Sequence, residues 1–295
     1  MTLAISLALV AGLLWAISNI IDKIALTKYV RNPFAVMPAV SMMSLIVGTV
    51  IVTINYQPYP EGIFWRLAFF AALNFLSIVF YFFALKDEEV SRMVPLYGTT
   101  PVFMVLIELI AFGTKLSIWQ YWGVAAVVIG AIVLSWKTSG LKFNKKGLFL
   151  ILGSSITWAV AVVFLTDILD TYGYWLGWGW VELVIGVLGM ISLIFIRQEF
   201  IRVVKSSGRK ILYLIMSSQL FSISAKAILF FAAVSWVASL SSAVASDQFI
   251  LLFLFSLLIS WKYPQILKEE INPRIIIQKT ISILLIIAGI FLISL

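Results

Sequence analysis

Cysteine and histidine are both absent from this 295-residue chain. Without cysteine there are no disulfides, thiol nucleophiles or thiolate metal sites. Without histidine the commonest metal ligand, and the side chain that titrates nearest neutral pH, are missing too. No cofactor and no metal is expected, and no clustered carboxylate motif calls for one. Charge is also scarce, at 12% of residues against about 25% in a soluble domain. There is no GxxxxGK[ST] phosphate loop, so nothing in the chain itself would hydrolyse ATP. What remains is apolar: 62% of residues are hydrophobic and the mean hydropathy is +1.09. These proportions predict an all-α integral membrane protein, and not an enzyme.

Apolar windows of about 20 residues, the length that crosses a hydrocarbon core, occur ten times. They lie near Leu3–Ile24, Pro33–Ile54, Ile63–Leu85, Val90–Phe112, Ile118–Trp136, Gly147–Leu169, Tyr174–Ile196, Ile211–Val234, Trp236–Trp261 and Ile275–Leu295. The first run lacks the basic flank of a secretory signal and is too long for one, so it is read as a membrane helix. With ten spans, alternate loops share a side. Arg66 and Lys115 fall on one side and Lys226 inside a span, while the rest of the 21 lysines and arginines fall on the other side. The positive-inside rule makes that other side cytoplasmic. The protein is therefore expected in the cell membrane (plasma or inner), multi-pass, with both termini extracytoplasmic. The same asymmetry accounts for the net charge of +8 without nucleic acid. The expected partners are a small-molecule substrate and the lipid bilayer, with the chain a monomer or a homodimer.

The order of the spans repeats. GLLWAISNIIDKIAL in the first and SSITWAVAVVFLTDIL in the sixth align Trp15-Ala16 with Trp158-Ala159, and the ends of the fifth and tenth align Gly130 with Gly289. The expectation is two five-helix repeats, residues 1–137 and 143–295, together one transmembrane domain. Five is odd, so the second repeat is inverted, an arrangement found in transporters that bind substrate near the midplane between the repeats.

With the LLWA pattern of the first span and the block VPLYGTTPVFMVLIELIAFGTKLSIWQYWGVAAVVIGAIVLS (Val94–Ser135), the chain resembles the drug/metabolite transporter superfamily, in its ten-helix EamA-like branch. In one place it departs: Gly113 is followed by Thr114 and Lys115, where the family often carries a glutamate. The resemblance implies a central cavity lined by helices one, three, four, six, eight and nine. It also leans toward export.

Two charges stand deep in apolar sequence, Lys226 in the eighth span and Asp247 in the ninth. Intramembrane charges are costly and are functional candidates by default. Ser218, Ser222 and Lys226 repeat at four-residue spacing, and Ser239, Ser242, Ser246 and Asp247 share a stripe of the next helix. Lys226 and Asp247 are close enough in depth to form a pair that holds the two helices together, or to face a cavity and receive a zwitterion. The substrate-binding candidates are Lys226, Asp247, Asn19, Asn74, Tyr97, Thr100, Trp15, Trp158 and Gln248. The carboxyls of Asp247, Glu182 and Glu108 are candidates for proton coupling. Pro101 is expected to disturb the fourth helix at the cavity. The expected function is a secondary active transporter of a small polar metabolite, an amino acid or other zwitterion or amine, working by rocking the two halves. A flippase for lipid or lipid-linked compounds is one alternative on the same fold. Transport of phosphorylated or nucleotide-linked substrates is another, for which Lys226 is the only intramembrane cation.

Overall fold

Segments this apolar find no water to satisfy their backbone, and the helix, which pairs every N–H and C=O within one segment, is the available solution. The computed structural model describes residues 2–30, 32–55, 62–86, 90–136, 145–262 and 273–295. Among them it has ten helices long and apolar enough to cross a membrane. They are α1 (Thr2–Lys28), α2 (Pro33–Ile54), α3 (Phe64–Lys86), α4 (Met93–Phe112) and α5 (Ile118–Ser135), then α6 (Lys145–Tyr172), α7 (Tyr174–Ser207), α8 (Arg209–Val234), α9 (Ala238–Lys262) and α10 (Arg274–Ile293). The chain is a multi-pass, all-α membrane protein. Its exposure pattern is that of a soluble protein turned inside out. Ile110, Phe149 and Phe195 are each more than three-quarters exposed, while Asn74, Ser154 and Glu182 are fully buried.

Helix ends follow local chemistry. Gly113, at φ +66°, closes α4 by returning its N–H to the carbonyls of Glu108 and Leu109. Ser117 and Gln120 form a capping box that starts α5. One boundary differs from the sequence reading. The polar stretch after Ile196 was expected to be a connection, yet α7 continues through it to Ser207. Residues 197–207 contain neither proline nor glycine, and Gly208, at φ +66°, is the first residue that breaks the helix. Several of the charges assigned to the expected cytoplasmic side (Arg31, Lys137, Lys142 and Lys268) lie outside the described residues.

The helices pack most extensively as α1 with α8, α2 with α7, α3 with α6 and α5 with α10, and α4 meets α9. Exchanging each helix for the one five places along leaves this set unchanged, which is compatible with the expected repeat. It also means that each main pairing joins one sequence half to the other. Residues 1–137 and 143–295 are thus interlocked, and rocking them apart as two rigid bodies would unmake most of the packing. Around the cavity α1 packs with α8 and α9, and α6 packs with α3 and α4, while the α2–α7 crossing joins the two sets.

Without a hydrophobic driving force between helices in lipid, close contact depends on small residues. Where α5 crosses α10, a Cβ on Gly123 would lie 2.7 Å from the carbonyl oxygen of Gly289, and one on Gly289 would lie 2.7 Å from the oxygen of Gly123. Neither backbone can yield without separating the pair. Gly289→Val should therefore destabilise the purified protein by about 1–3 kcal/mol, the usual cost of overpacking, read as a lowered thermal midpoint in detergent. An unchanged midpoint would mean that this crossing is not tight.

Candidate functional site

α4 and α9 are both interrupted midway by a 3₁₀ turn, at Tyr97–Thr99 and Ala245–Asp247. In α4 the cause is local. Pro101 has no N–H to offer the carbonyl of Tyr97, and that oxygen instead accepts from the backbone N–H of Thr100 and from the Thr100 hydroxyl, the latter at 2.6 Å. Thr100 is thereby spent on its own backbone and does not line the cavity.

Beside these interruptions lies a cavity of about 100 Å³, room for several waters at the ~10–15 Å³ that each requires. Its wall comes from α1, α3, α4, α6, α8 and α9, the six helices that the resemblance implies. Seven of the residues singled out in the sequence line it: Trp15, Asn19, Asn74, Tyr97, Trp158, Lys226 and Gln248. Three polar clusters can be distinguished within it.

The first sits toward the C-terminal end of α1. Ser218 Oγ donates to Asp22 Oδ1 at 2.5 Å, and Ser18 Oγ, 2.9 Å from Ser218 Oγ, is left as the donor to it. Alongside, Tyr81 donates to Asn19 Oδ1 at 2.7 Å, and Asn19 Nδ2 donates to Gln248 Oε1 at 3.2 Å. This relay ties α3, α1 and α9 together. In the second cluster, Ser77 and Ser154 donate to each other's carbonyls at 2.9 and 2.7 Å, and the Tyr97 hydroxyl lies 2.7 Å from Ser77 Oγ. One assignment satisfies every proton: both serines give theirs to backbone, and Tyr97 gives its own to Ser77. The third lies near the middle of α8. Lys226 Nζ is 2.7 Å from Glu182 Oε1 and 5.6 Å from the Trp178 ring, both on α7. Trp15 and Trp158, matched in the sequence repeat, meet edge to face at 6.2 Å above the cavity.

Asn74 belongs to none of these clusters. It is fully buried, lines the cavity, and neither its Oδ1 nor its Nδ2 has a hydrogen-bond partner.

Four sequence candidates lie outside the cavity wall: Thr100, Asp247, Glu182 and Glu108. The pairing weighed for Lys226 and Asp247 is replaced by Lys226 with Glu182. Asp247 instead turns toward α1, where a Cβ on Gly12 would fall 1.7 Å from its Oδ1. Glycine at position 12 is what makes room for that carboxylate. Glu108, near the C-terminal end of α4, accepts from the backbone N–H of Ser239 at 2.9 Å and caps the first turn of α9. Conversely, Asp22, Ser18, Ser77, Tyr81 and Gln219 line the cavity and were not singled out. Asp22 had been obscured by Lys23 at the span's end. The signal that finds it is spacing, since Trp15, Asn19 and Asp22 recur at intervals that share one helix face.

The sequence pattern of the EamA-like transporter family matches residues 2–136, which bears out the resemblance for the first half of the chain. An uncharacterized transporter of Archaeoglobus fulgidus is 34% identical over 90 residues, 30% of this chain and 32% of that one. The matched segment thus spans about a third of that relative's length. A crystal structure of another protein superposes at a TM-score of 0.59, covering 98% of this chain and 95% of that chain at 16% identity. It shares the fold.

Lys226→Met alone strands the Glu182 carboxylate inside the protein and should cost about 3–5 kcal/mol. Lys226→Met combined with Glu182→Gln should recover most of that loss. A double-mutant cycle of thermal unfolding in detergent checks this, and additive losses would show that the two side chains are not coupled.

Proposed function

We propose that the chain, EamA-like in its first half, is a secondary transporter of a small polar metabolite, an amine or a zwitterion, that binds in the central cavity. The observation that carries this reading is Asn74. Leaving a buried amide without hydrogen bonds costs about 1–3 kcal/mol, and this one opens onto a cavity walled by other polar side chains. A bound solute that pairs with it recovers that cost. The first-half family match and the relative named as a transporter support the same reading. The polar wall favours a polar solute over a lipid chain, which makes a flippase the weaker reading.

The mechanism is alternating access, with the halves 1–137 and 143–295 forming an inverted repeat whose helices intermix. Because the sequence halves interlock, the bodies that move are α1, α2, α8 and α9 against α3, α4, α6 and α7, turning about the α2–α7 crossing that joins them. Side-chain contacts that join these two groups include Tyr81 with Asn19, Lys226 with Glu182, Glu108 with Ser239, and the ring of Trp158 with those of Trp15 and Phe230. A carboxyl in such a contact can exchange a proton as the contact opens, which keeps Glu182 and Glu108 as coupling candidates. Asp247, pressed against Gly12, is a further one. The charge asymmetry of the loops supports a cell-membrane location with both termini outside.

The absence of native cysteine makes a direct test available. Ser222→Cys places a single thiol on the cavity wall. In right-side-out and inverted vesicles, a membrane-impermeant maleimide should label it from both faces. Labelling from one face alone would reduce the cavity to a one-sided pocket, and labelling from neither would make it a sealed packing void; both outcomes sink alternating access.

A further inference from the structure

Three carboxylate or ammonium groups surround the cavity, and they are not equivalent. Lys226 and Glu182 cancel each other at 2.7 Å, so the middle of α8 adds no net charge. Asp22 is different. It is 3% exposed, lines the cavity, and accepts hydroxyl hydrogen bonds on the α1–α8 seam. No lysine or arginine pairs with it among the described residues. The adjacent Lys23 donates to the carbonyl of Leu85, also at 2.9 Å. A carboxylate removed from water requires an opposite charge or several donors to offset its desolvation. Here the protein supplies hydroxyls but no cation. Asp22 is therefore the acidic group of the cavity wall that has no cationic partner among the described residues, and it is fixed at one end.

Helix geometry separates the two ends. Asp22 is bonded to Ser218, and Lys226 lies eight residues further along α8, a rise of about 12 Å. An α-amino acid carries its ammonium and carboxylate one carbon apart, so it cannot meet Asp22 with one and Lys226 with the other. Placed with its ammonium at Asp22, it would bring a second carboxylate beside the first. The aromatic wall begins on the same face of α1 at Trp15, seven residues and about 10 Å from Asp22.

We propose that Asp22 is the cation-binding group of this cavity. The substrate class it selects is an organic amine with an apolar or aromatic body and no carboxylate next to the ammonium. The inference rests on the transport reading and narrows it. The ammonium replaces the missing counter-charge at Asp22, Asn19 and Gln248 present amide oxygens beside it, and the body extends toward Trp15 and Trp158.

The test uses the full-length purified protein and three probes with one aromatic body: 2-phenylethylammonium, phenylalanine and 3-phenylpropionate. Calorimetric titration should show 2-phenylethylammonium binding at least tenfold more tightly than either carboxylate-bearing probe. Asp22→Asn should weaken the amine at least tenfold, while Asp170→Asn, at an exposed carboxyl near the end of α6, should leave it unchanged. Equal or better binding of phenylalanine or 3-phenylpropionate overturns the inference, as does undiminished amine binding by Asp22→Asn. Where Asp22→Asn does not purify, the selectivity of the wild-type protein among the three probes decides alone. If none of the probes binds, the amine assignment falls, and the transport reading stands or falls separately on the labelling of Ser222→Cys from both faces.

Discussion

Every polar group within a hydrocarbon slab must find its partner inside the protein, because no water is there to serve. The rest of the architecture depends on that constraint. It makes the chain helical, and it turns the large apolar side chains outward against lipid. It also gathers the few polar side chains of ten spans into one interior region. There Ser77 and Ser154 exchange hydrogen bonds across α3 and α6, while Ser218 spans from α8 to Asp22 on α1. Several buried oxygens elsewhere, among them those of Ser239, Ser241 and Asp247, lack a partner as Asn74 does, but Asn74 differs in lining the cavity with both of its amide atoms unpaired.

The interruptions of α4 and α9 follow from the same constraint. A break in a membrane helix frees carbonyls and N–H groups, and it is tolerated where neighbouring groups or a cavity receive them. In α4 the donors are visible: the Tyr97 carbonyl, denied an N–H by Pro101, accepts from the backbone N–H and the hydroxyl of Thr100. In α9 no proline is present, and the turn at Ala245–Asp247 is flanked by the small residues Ser241 to Ser246. The two breaks face the cavity from opposite sides and bring Tyr97 and Gln248 to its wall.

The spans were legible in the sequence because hydropathy and length alone determine them, and so was the polar character of six of the helices. Depth was legible too, which is why Lys226 could be recognised as a group in the membrane interior. Azimuth was not. Asp247 and Glu182 lie at similar depths, and only the packing of α7 against α8, with Gly12 opening a niche on α1, determines that Glu182 takes the lysine and Asp247 turns away. Asp22 was lost for the opposite reason. Beside Lys23 it reads as part of a charged helix end, yet α1 continues to Lys28, so Asp22 lies well inside the helix. Interlocking of the halves was likewise hidden, because a repeat in sequence records how the helices are related and not which of them pack together.

Once α1, α2, α8 and α9 are taken to move against α3, α4, α6 and α7, the contacts between them involve charge toward both ends. Glu108 meets the first turn of α9 where α4 ends, and Lys226 with Glu182 lies deeper. Toward the opposite end Tyr81 donates to Asn19, Lys23 to the carbonyl of Leu85 and Asn32 to Glu199. A neutral hydrogen bond between membrane helices contributes about 0.6 kcal/mol on average, whereas exposing one member of a buried ion pair without a substitute costs several times that. The buried pair parts only if water or a ligand takes over the charges of Lys226 and Glu182. On the proposed transport reading, an ammonium at Asp22 would not relieve that latch, because it brings no anion to Lys226, whereas a proton on Glu182 would, since it removes half of the ion pair. Substrate charge and proton would then act at different points along the packed pair α1 and α8, which carry Asp22 and Lys226.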